Sequence, residues 1–164
     1  MNIALLIIDM QQDFYDQKPF RDSLTNALEY INETSELFRT AGKPVIVIQD
    51  EEAGDGPGSK GFENISDLIV KESDHFMQKF HSNAFWQTDL EKLLKSLDVQ
   101  FLVVSGFAAE HCVLFTYNGA IERSFGASIL QHGVAGLEKK NVRSIQQLRS
   151  VISIEALDYF FNYA

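Results

Sequence analysis

Two kinds of hydrophobic pattern alternate along the chain. Short apolar runs, typical of strands covered on both faces, occur at 3–8, 45–48, 75–77, 101–104, 127–130 and 151–154. Apolar residues spaced three and four apart, typical of amphipathic helices, occur at 23–40, 89–97, 110–121 and 142–149, with a last stretch ending near 161. Ser23 is expected to cap the first helix. Residues 49–64, rich in glycine and acids, predict a surface loop, and 65–70 a short helix or strand.

The alternation of strands and helices predicts the fold class. It is typical of a parallel sheet covered by helices on both faces. We therefore expect an α/β protein with three α/β/α layers around a mainly parallel six-stranded sheet, which is a Rossmann-like arrangement. No repeat, linker or change of composition divides the chain, so residues 1–164 are expected to form a single domain.

Charge and cysteine content limit the kinds of partner and the cellular compartment that we expect. The net charge is −9, and nucleic acids or anionic membranes bind clustered Lys and Arg, so neither is expected as a partner. No apolar run approaches the length of a membrane span, and the first residues lead directly into a strand without a signal-peptide pattern. The single cysteine cannot form an internal disulfide, which favours a reducing cytoplasm.

Three chemically useful side chains follow three of the predicted strands. Asp9 follows the first strand and Lys79 the third, while Cys112 falls in the first turn of the helix after strand 101–104. Parallel strands share one carboxyl edge, so these side chains can converge. Each also has an ordinary interpretation, such as a buried apolar thiol or a solvated lysine. Together, however, they offer a nucleophile, a base and a cation, and the helix start with Lys79 predicts a lowered thiol pKa.

Three motifs in this order resemble those of the isochorismatase-like cysteine hydrolase superfamily, which includes nicotinamidases. The first stands here as Leu6-Ile7-Ile8-Asp9-Met10-Gln11. The second is Lys79 with Asn83-Ala84-Phe85 and Thr88-Asp89-Leu90. The third is Gly106-Phe107-Ala108-Ala109-Glu110-His111-Cys112-Val113. The resemblance covers residues 3 to about 131.

The resemblance implies an Asp9-Lys79-Cys112 triad that hydrolyses a C–N bond of a small amide or imide. Cys112 would form a thioester while Asp9 moves the proton and Lys79 balances the charge. The backbone N–H groups of Ala108 and Cys112 would form the oxyanion hole, and the Phe107–Ala108 peptide bond would be cis.

Two departures from the family pattern bear on the chemistry. Ala109 stands where a threonine is usual. After the second strand the chain has Asp50-Glu51-Glu52, without the histidines that hold a metal in nicotinamidases. We therefore expect no metal and no other cofactor, and poor activity on nicotinamide. The acids of this loop are expected to be mainly solvated.

The substrate is less well specified than the reaction. Phe14, Phe85, Trp86 and His111 are candidates for lining the pocket of a small-molecule, amide-like substrate. C-terminal aromatics are compatible with a homo-oligomer; they are Tyr159, Phe160, Phe161 and Tyr163. Two alternatives stay open: an isochorismatase-type hydrolase of a vinyl ether, and a non-catalytic family member that acts through its surface. A phospho-acceptor signalling domain is excluded because the required acidic positions are missing.

Overall fold

The computed structural model describes residues 2–163. The strands are β1 (Asn2–Ile8), β2 (Val45–Asp50), β3 (His75–Lys79), β4 (Val99–Gly106), β5 (Gly126–Val134) and β6 (Val151–Ile152). The helices are α1 (Gln12–Asp16), α2 (Lys18–Thr40), α3 (Leu90–Ser96), α4 (Leu114–Glu122), α5 (Lys139–Leu148) and α6 (Ile154–Tyr163), and a π-helical turn (Ala109–Val113) precedes α4. None of the helices described is both long and apolar enough to cross a membrane.

The six strands form one parallel sheet in the order β3-β2-β1-β4-β5-β6. Alternate residues of β1 point to opposite faces: Ala4, Leu6 and Ile8 pack with α3, α4 and α5, and Ile3, Leu5 and Ile7 pack with α2 and α6. The sheet is therefore buried between two helical layers. The predicted α/β fold with three layers and six strands is confirmed.

The strand order places a crevice between β1 and β4. Starting from β1, the chain adds β2 and β3 on one side and β4, β5 and β6 on the other. Loops that leave the carboxyl ends of two such neighbouring strands diverge to opposite faces, and open α/β sheets bind ligands in the gap. Asp9 follows β1 and Cys112 lies in the turn after β4, so both residues lie at this crevice.

Several element boundaries differ from the sequence-based expectation. The first long helix begins at Lys18, with Pro19 in its first turn, where a missing N–H costs nothing. Ser23 is therefore inside α2 and caps nothing; its hydroxyl accepts a hydrogen bond from the Gly136 N–H at 3.2 Å. Residues 65–70 form a turn at 66–67 and otherwise irregular chain, instead of a helix or strand. Strand β5 extends to Val134, and β6 is only two residues long.

The C-terminal aromatics do not all face solvent. Phe161 packs edge-on against Phe38 of α2, with ring centroids 5.1 Å apart, so it is part of the core beneath α6. Tyr159, Phe160 and Tyr163 are exposed. Three of the four aromatics named from the sequence are therefore exposed.

Gly106 is expected to be indispensable at the end of β4. Its φ is +109°, and a Cβ there would lie 2.0 Å from the Ile8 carbonyl oxygen of the neighbouring strand. Gly106→Ala should lower the free energy of unfolding by about 3 kcal/mol or more, since it combines a disfavoured conformation with a clash against backbone. Urea denaturation measures the change.

Gly42→Ala is the matched control for this measurement. Gly42 also has a positive φ, +64°, but no atom lies within 4 Å of its added Cβ. Gly42→Ala should lower the free energy of unfolding by only about 1–2 kcal/mol, because only the left-handed conformation is disfavoured there. Equal losses in the two variants would contradict the close packing of β1 and β4.

Candidate active site

Lys79 is the centre of a buried polar cluster at the carboxyl edge of the sheet. It is the last residue of β3 and only 1% exposed. Its Nζ lies 2.9 Å from Asp9 Oδ2, 2.8 Å from Asp50 Oδ2 and 3.4 Å from Cys112 Sγ. An ammonium group has three N–H donors, so these three contacts use all of them. Asp9, Lys79 and Cys112, proposed from the sequence, are thus in direct contact through the ammonium.

Asp9 is held in an unusual backbone conformation directly after β1. Its φ is +51°, which is uncommon for a residue other than glycine, and its N–H donates to the Ile48 carbonyl at 2.9 Å. One carboxylate oxygen, Oδ2, pairs with Lys79, whereas Oδ1 is buried and has no hydrogen-bond partner among residues 2–163. A buried acceptor without a donor is costly, so an incoming proton would find a favourable position at Oδ1.

Burial controls the proton affinity of Asp9. Removal from water raises the pKa of the Asp9 carboxyl to about 6, although the neighbouring Lys79 ammonium acts in the opposite direction. The Asp50 carboxylate nearby adds to the increase. At neutral pH Asp9 is therefore ionised, yet it is a much stronger base than an exposed aspartate.

The Cys112 thiol has a raised pKa, contrary to the prediction from the sequence. Burial and the negative charge of Asp9 raise its pKa to about 12, and the Lys79 ammonium offsets only part of this increase. The lowered pKa was predicted from the field of the helix start and from the cation. The helix start is here a five-residue π-helical turn, and desolvation of the sulfur outweighs its field. The resting site therefore contains a thiol beside a carboxylate.

The ammonium of Lys79 stays charged in this environment. Burial by itself would lower its pKa, but the adjacent Asp9, Cys112 and Asp50 raise it above the ordinary lysine value. Lys79 therefore serves as a fixed cation instead of a base.

Asp50 is the member of the cluster that the sequence analysis missed. It was assigned to a solvated acidic loop, but it is the last residue of β2 and its side chain is only 15% exposed. It lies beside Lys79 in the β2–β3 register. The signal was present in the sequence, because Asp50 follows an apolar strand just as Asp9 does.

The backbone around the third motif leaves one N–H group beside the cluster without an acceptor in the described part of the chain. The Phe107–Ala108 peptide bond is cis. The next residue, Ala109, donates its N–H to the Ala135 carbonyl at 2.8 Å, whereas the Ala108 N–H has no hydrogen-bond acceptor among residues 2–163. Ala108 and Cys112 both border the cavity beside the cluster. Ala109, the residue that replaces the usual threonine, is fully buried and does not reach the cavity.

A cavity of about 310 Å³ opens onto the thiol. Its wall is formed by Asp9, Phe14, Gln17, Phe20, Asp50, Ser82, Phe107, Ala108, His111, Cys112 and Leu137. Phe14 and His111 therefore line the cavity beside Cys112, as the sequence predicts. A larger cavity of about 430 Å³, bordered by α2, β5 and α5, is lined by none of Asp9, Asp50, Lys79 and Cys112. We base the site on the smaller cavity because it contains Cys112.

Phe85 and Trp86 do not line this cavity, contrary to the sequence-based assignment. The Ala84 N–H donates to the Thr116 hydroxyl at 3.0 Å, which fixes the segment against α4. Phe85 consequently packs into the core, stacked on Phe125 at 6.0 Å, while Trp86 is 54% exposed. The second motif therefore anchors the chain after Lys79 and leaves the pocket wall to other residues.

Asp9, Asp50 and Cys112 together resemble a metal site but already surround a cation. Their oxygen and sulfur atoms all lie within 4.8 Å of one another. The Lys79 ammonium is bonded to all three, so a divalent ion there would have to displace a buried lysine. The three residues do not fit a metal while Lys79 is in place. Independence from metal remains a prediction.

A thiol, a fixed cation and a buried carboxylate beside a small cavity form a site suited to a cysteine hydrolase. A family model described as an isochorismatase domain matches residues 3–155. The chain belongs to the isochorismatase family of hydrolases, as the sequence motifs indicated.

Similar proteins support the family and the fold. The uncharacterized isochorismatase family protein YddQ of Bacillus subtilis (strain 168) is 28% identical over 143 residues, covering 82% of this chain and 78% of YddQ. N-carbamoylsarcosine amidase from Thermoplasma acidophilum has a TM-score of 0.83 at 20% identity, covering 94% of this chain and 98% of that one. The pyrazinamidase/nicotinamidase from Streptococcus mutans has a TM-score of 0.78 at 23% identity, covering 92% of this chain and all of that one.

Removing the lysine charge should make the thiol harder to ionise. Because the Lys79 ammonium lowers the pKa of the Cys112 thiol, Lys79→Met should raise that pKa further. Alkylation by iodoacetamide at pH 9 should then slow by about tenfold or more. Mass spectrometry of this single-cysteine protein measures the rate at Cys112.

The matched control is Lys60→Met, which removes an exposed lysine charge from the loop after β2. It should alkylate at the rate of the unchanged protein. Identical rates for Lys79→Met and the unchanged protein would remove Lys79 from the environment of the thiol.

Proposed function

We propose that this protein is a cysteine amidase that hydrolyses a C–N bond of a small amide or imide through a thioester at Cys112. The observation that carries this proposal is the contact of one buried ammonium, Lys79, with both the Cys112 sulfur and the Asp9 carboxylate. A thiol with a high pKa needs a base to become a nucleophile, and Asp9 is the adjacent base. Membership of a hydrolase family and the likeness to an amidase fold agree with it.

Acylation begins with transfer of the thiol proton to Asp9, whose Oδ1 has no other donor. The sulfur then bonds to the substrate carbonyl carbon, and the carbonyl electron pair moves onto oxygen. The N–H groups of Ala108 and Cys112 are the proposed donors to this oxyanion. Collapse of the tetrahedral species breaks the C–N bond, and the protonated Asp9 returns the proton to the departing amine.

Deacylation repeats these steps with water. Asp9, again ionised, accepts a proton from the water as its oxygen attacks the thioester carbonyl. The second tetrahedral species expels the Cys112 sulfur, which regains its proton from Asp9. The products are a carboxylic acid and the amine released earlier. Lys79 keeps its proton throughout and stabilises whichever partner carries negative charge.

The lining of the cavity favours a substrate without a negative charge. Phe14, Phe20 and Phe107 form an apolar wall, and the nearby acids are Asp9 and Asp50. Within residues 2–163 no arginine or lysine lines the cavity, and all three N–H groups of Lys79 are already used. A carboxylate on the substrate would therefore face two acids without a free cation. We propose a small, partly apolar amide that is neutral or cationic.

Two properties of the whole protein are also proposed. The exposed aromatic residues of α6 support a homo-oligomer, since such surfaces commonly pack against another subunit. A cytoplasmic location is supported by the single unpaired cysteine, which a reducing compartment would protect. Nothing in the composition favours nucleic acid or membrane as a partner.

Cys112→Ala should abolish turnover of the best substrate found in a panel of small neutral amides, while circular dichroism remains unchanged. Cys112→Ser should lose at least about a thousandfold in kcat, because a hydroxyl is far harder to ionise in this site. Ammonia or amine release measures the rate. Near-normal rates in Cys112→Ala would exclude the thioester, whereas turnover of a vinyl ether but of no amide would favour vinyl-ether hydrolysis. No turnover of any amide or vinyl ether would favour a non-catalytic role.

Substrate charge provides an independent prediction. For a pair of amides that differ only by a carboxylate at the end remote from the amide, kcat/KM should be at least about tenfold higher for the neutral member, a modest effect of like charges. The methyl ester of the acid is the matched control, since it restores neutrality at similar size. A preference for the acid over its ester would show that an unidentified cation binds the substrate.

A further inference from the structure

We propose that Asp50 is a positioning residue of this site: it holds the Lys79 ammonium against Asp9 and Cys112, and its negative charge keeps the proton on the resting thiol. This inference rests on the proposed function only in taking Cys112 as the nucleophile. Asp50 makes no hydrogen bond to Asp9 or Cys112, and it acts by holding Lys79 and through its charge.

Both carboxylate oxygens of Asp50 are engaged, so the side chain has one fixed orientation. Oδ2 accepts from Lys79 Nζ at 2.8 Å, and Oδ1 accepts from the Glu52 N–H at 2.9 Å. The second bond is a local turn of the kind that aspartate forms with the backbone two residues later. Asp50 therefore points into the cluster instead of moving with the acidic loop that follows it.

The main chain of Asp50 is fixed by the buried side chain of Gln11. The Gln11 side-chain oxygen accepts from the Asp50 N–H at 2.7 Å, and its Nε2 donates to the Asp50 carbonyl at 3.0 Å. The same Nε2 donates to the Phe62 carbonyl at 2.9 Å. The Glu51 N–H also donates to the Lys79 carbonyl at 2.9 Å. These hydrogen bonds fix the position of Asp50 within the site.

The charge of Asp50 opposes ionisation of the thiol. Four groups determine the charge around Cys112: Asp9 after β1, Asp50 at the end of β2, Lys79 at the end of β3 and His111 next to it in the chain. Only one cation is buried with two carboxylates, so without Asp50 the ammonium would be shared by Asp9 and the sulfur alone. A negative charge within 4.8 Å of the sulfur destabilises the thiolate.

The same charge supports the catalytic cycle. Asp50 contributes to the raised pKa of Asp9, which makes Asp9 a better proton acceptor. When Asp9 takes the thiol proton and becomes neutral, Asp50 still pairs with Lys79. The ammonium therefore remains in place while the sulfur attacks.

The test is the pH dependence of Cys112 alkylation by iodoacetamide, which is uncharged and needs no knowledge of the substrate. Asp50→Asn keeps an oxygen that can accept from Lys79 but removes the charge. We expect its alkylation profile to shift to lower pH by on the order of one unit, which gives about tenfold faster alkylation at pH 8. Asp50→Ala should shift in the same direction, and it decides the question by the same criterion if Asp50→Asn does not fold.

Two further variants separate charge from structure. Asp50→Glu restores the charge and should return the profile toward that of the unchanged protein. Asp55→Asn removes an exposed carboxylate from the same loop and should leave the profile unmoved. A purely structural role predicts reduced thermal stability in Asp50→Asn with an unchanged profile.

Unchanged or slower alkylation in Asp50→Asn and Asp50→Ala would overturn the proposal, as would equal profiles for Asp50→Glu and Asp50→Asn. A shifted profile in a protein that turns over no amide would support the role of Asp50 and refute the amidase function alone.

Discussion

A single buried ammonium organises the site of this protein. Lys79 is shielded from water, and its ammonium contacts two carboxylates and one sulfur instead. Lys79 ends β3, and the groups it contacts come from the ends of two other strands, β1 and β2, and from the turn that follows β4. Removing one carboxylate would change the net charge of the cluster, and with it the proton affinity of the groups that remain. Such interdependence is the usual property of buried polar networks.

The proton on the thiol follows from this arrangement. A cysteine at a helix start beside a lysine would ordinarily ionise readily. Here, burial and the Asp9 carboxylate have the opposite effect, and they raise the thiol pKa to about 12. In the proposed mechanism the nucleophile is therefore formed by proton transfer to Asp9 during the reaction instead of being stored as a thiolate.

The sequence revealed the parts of the site that depend on strand ends, and less of what depends on packing. Asp9, Lys79 and Cys112 were found because each follows a recognisable apolar strand, and the parallel sheet brings such positions to one edge. Asp50 obeys the same rule but was hidden by the acids that follow it in sequence. Phe85 was misplaced because a hydrogen bond from Ala84 to Thr116, 32 residues away, turns it into the core. Strand positions are local information, whereas the direction of a side chain in a loop depends on distant partners.

The single cysteine has a consequence for how the protein can be studied. Its protected state exists only while β1, β2, β3 and the turn after β4 are assembled, because the three strand ends supply Asp9, Asp50 and Lys79 and the turn supplies the sulfur. In the unfolded chain the thiol would return to an ordinary pKa near 8.5 and react rapidly with alkylating reagents. Labelling of one native atom would therefore report the opening of the central sheet, without any added probe. The alkylation rate of Cys112, the residue proposed for catalysis, would thus also measure how often the fold opens.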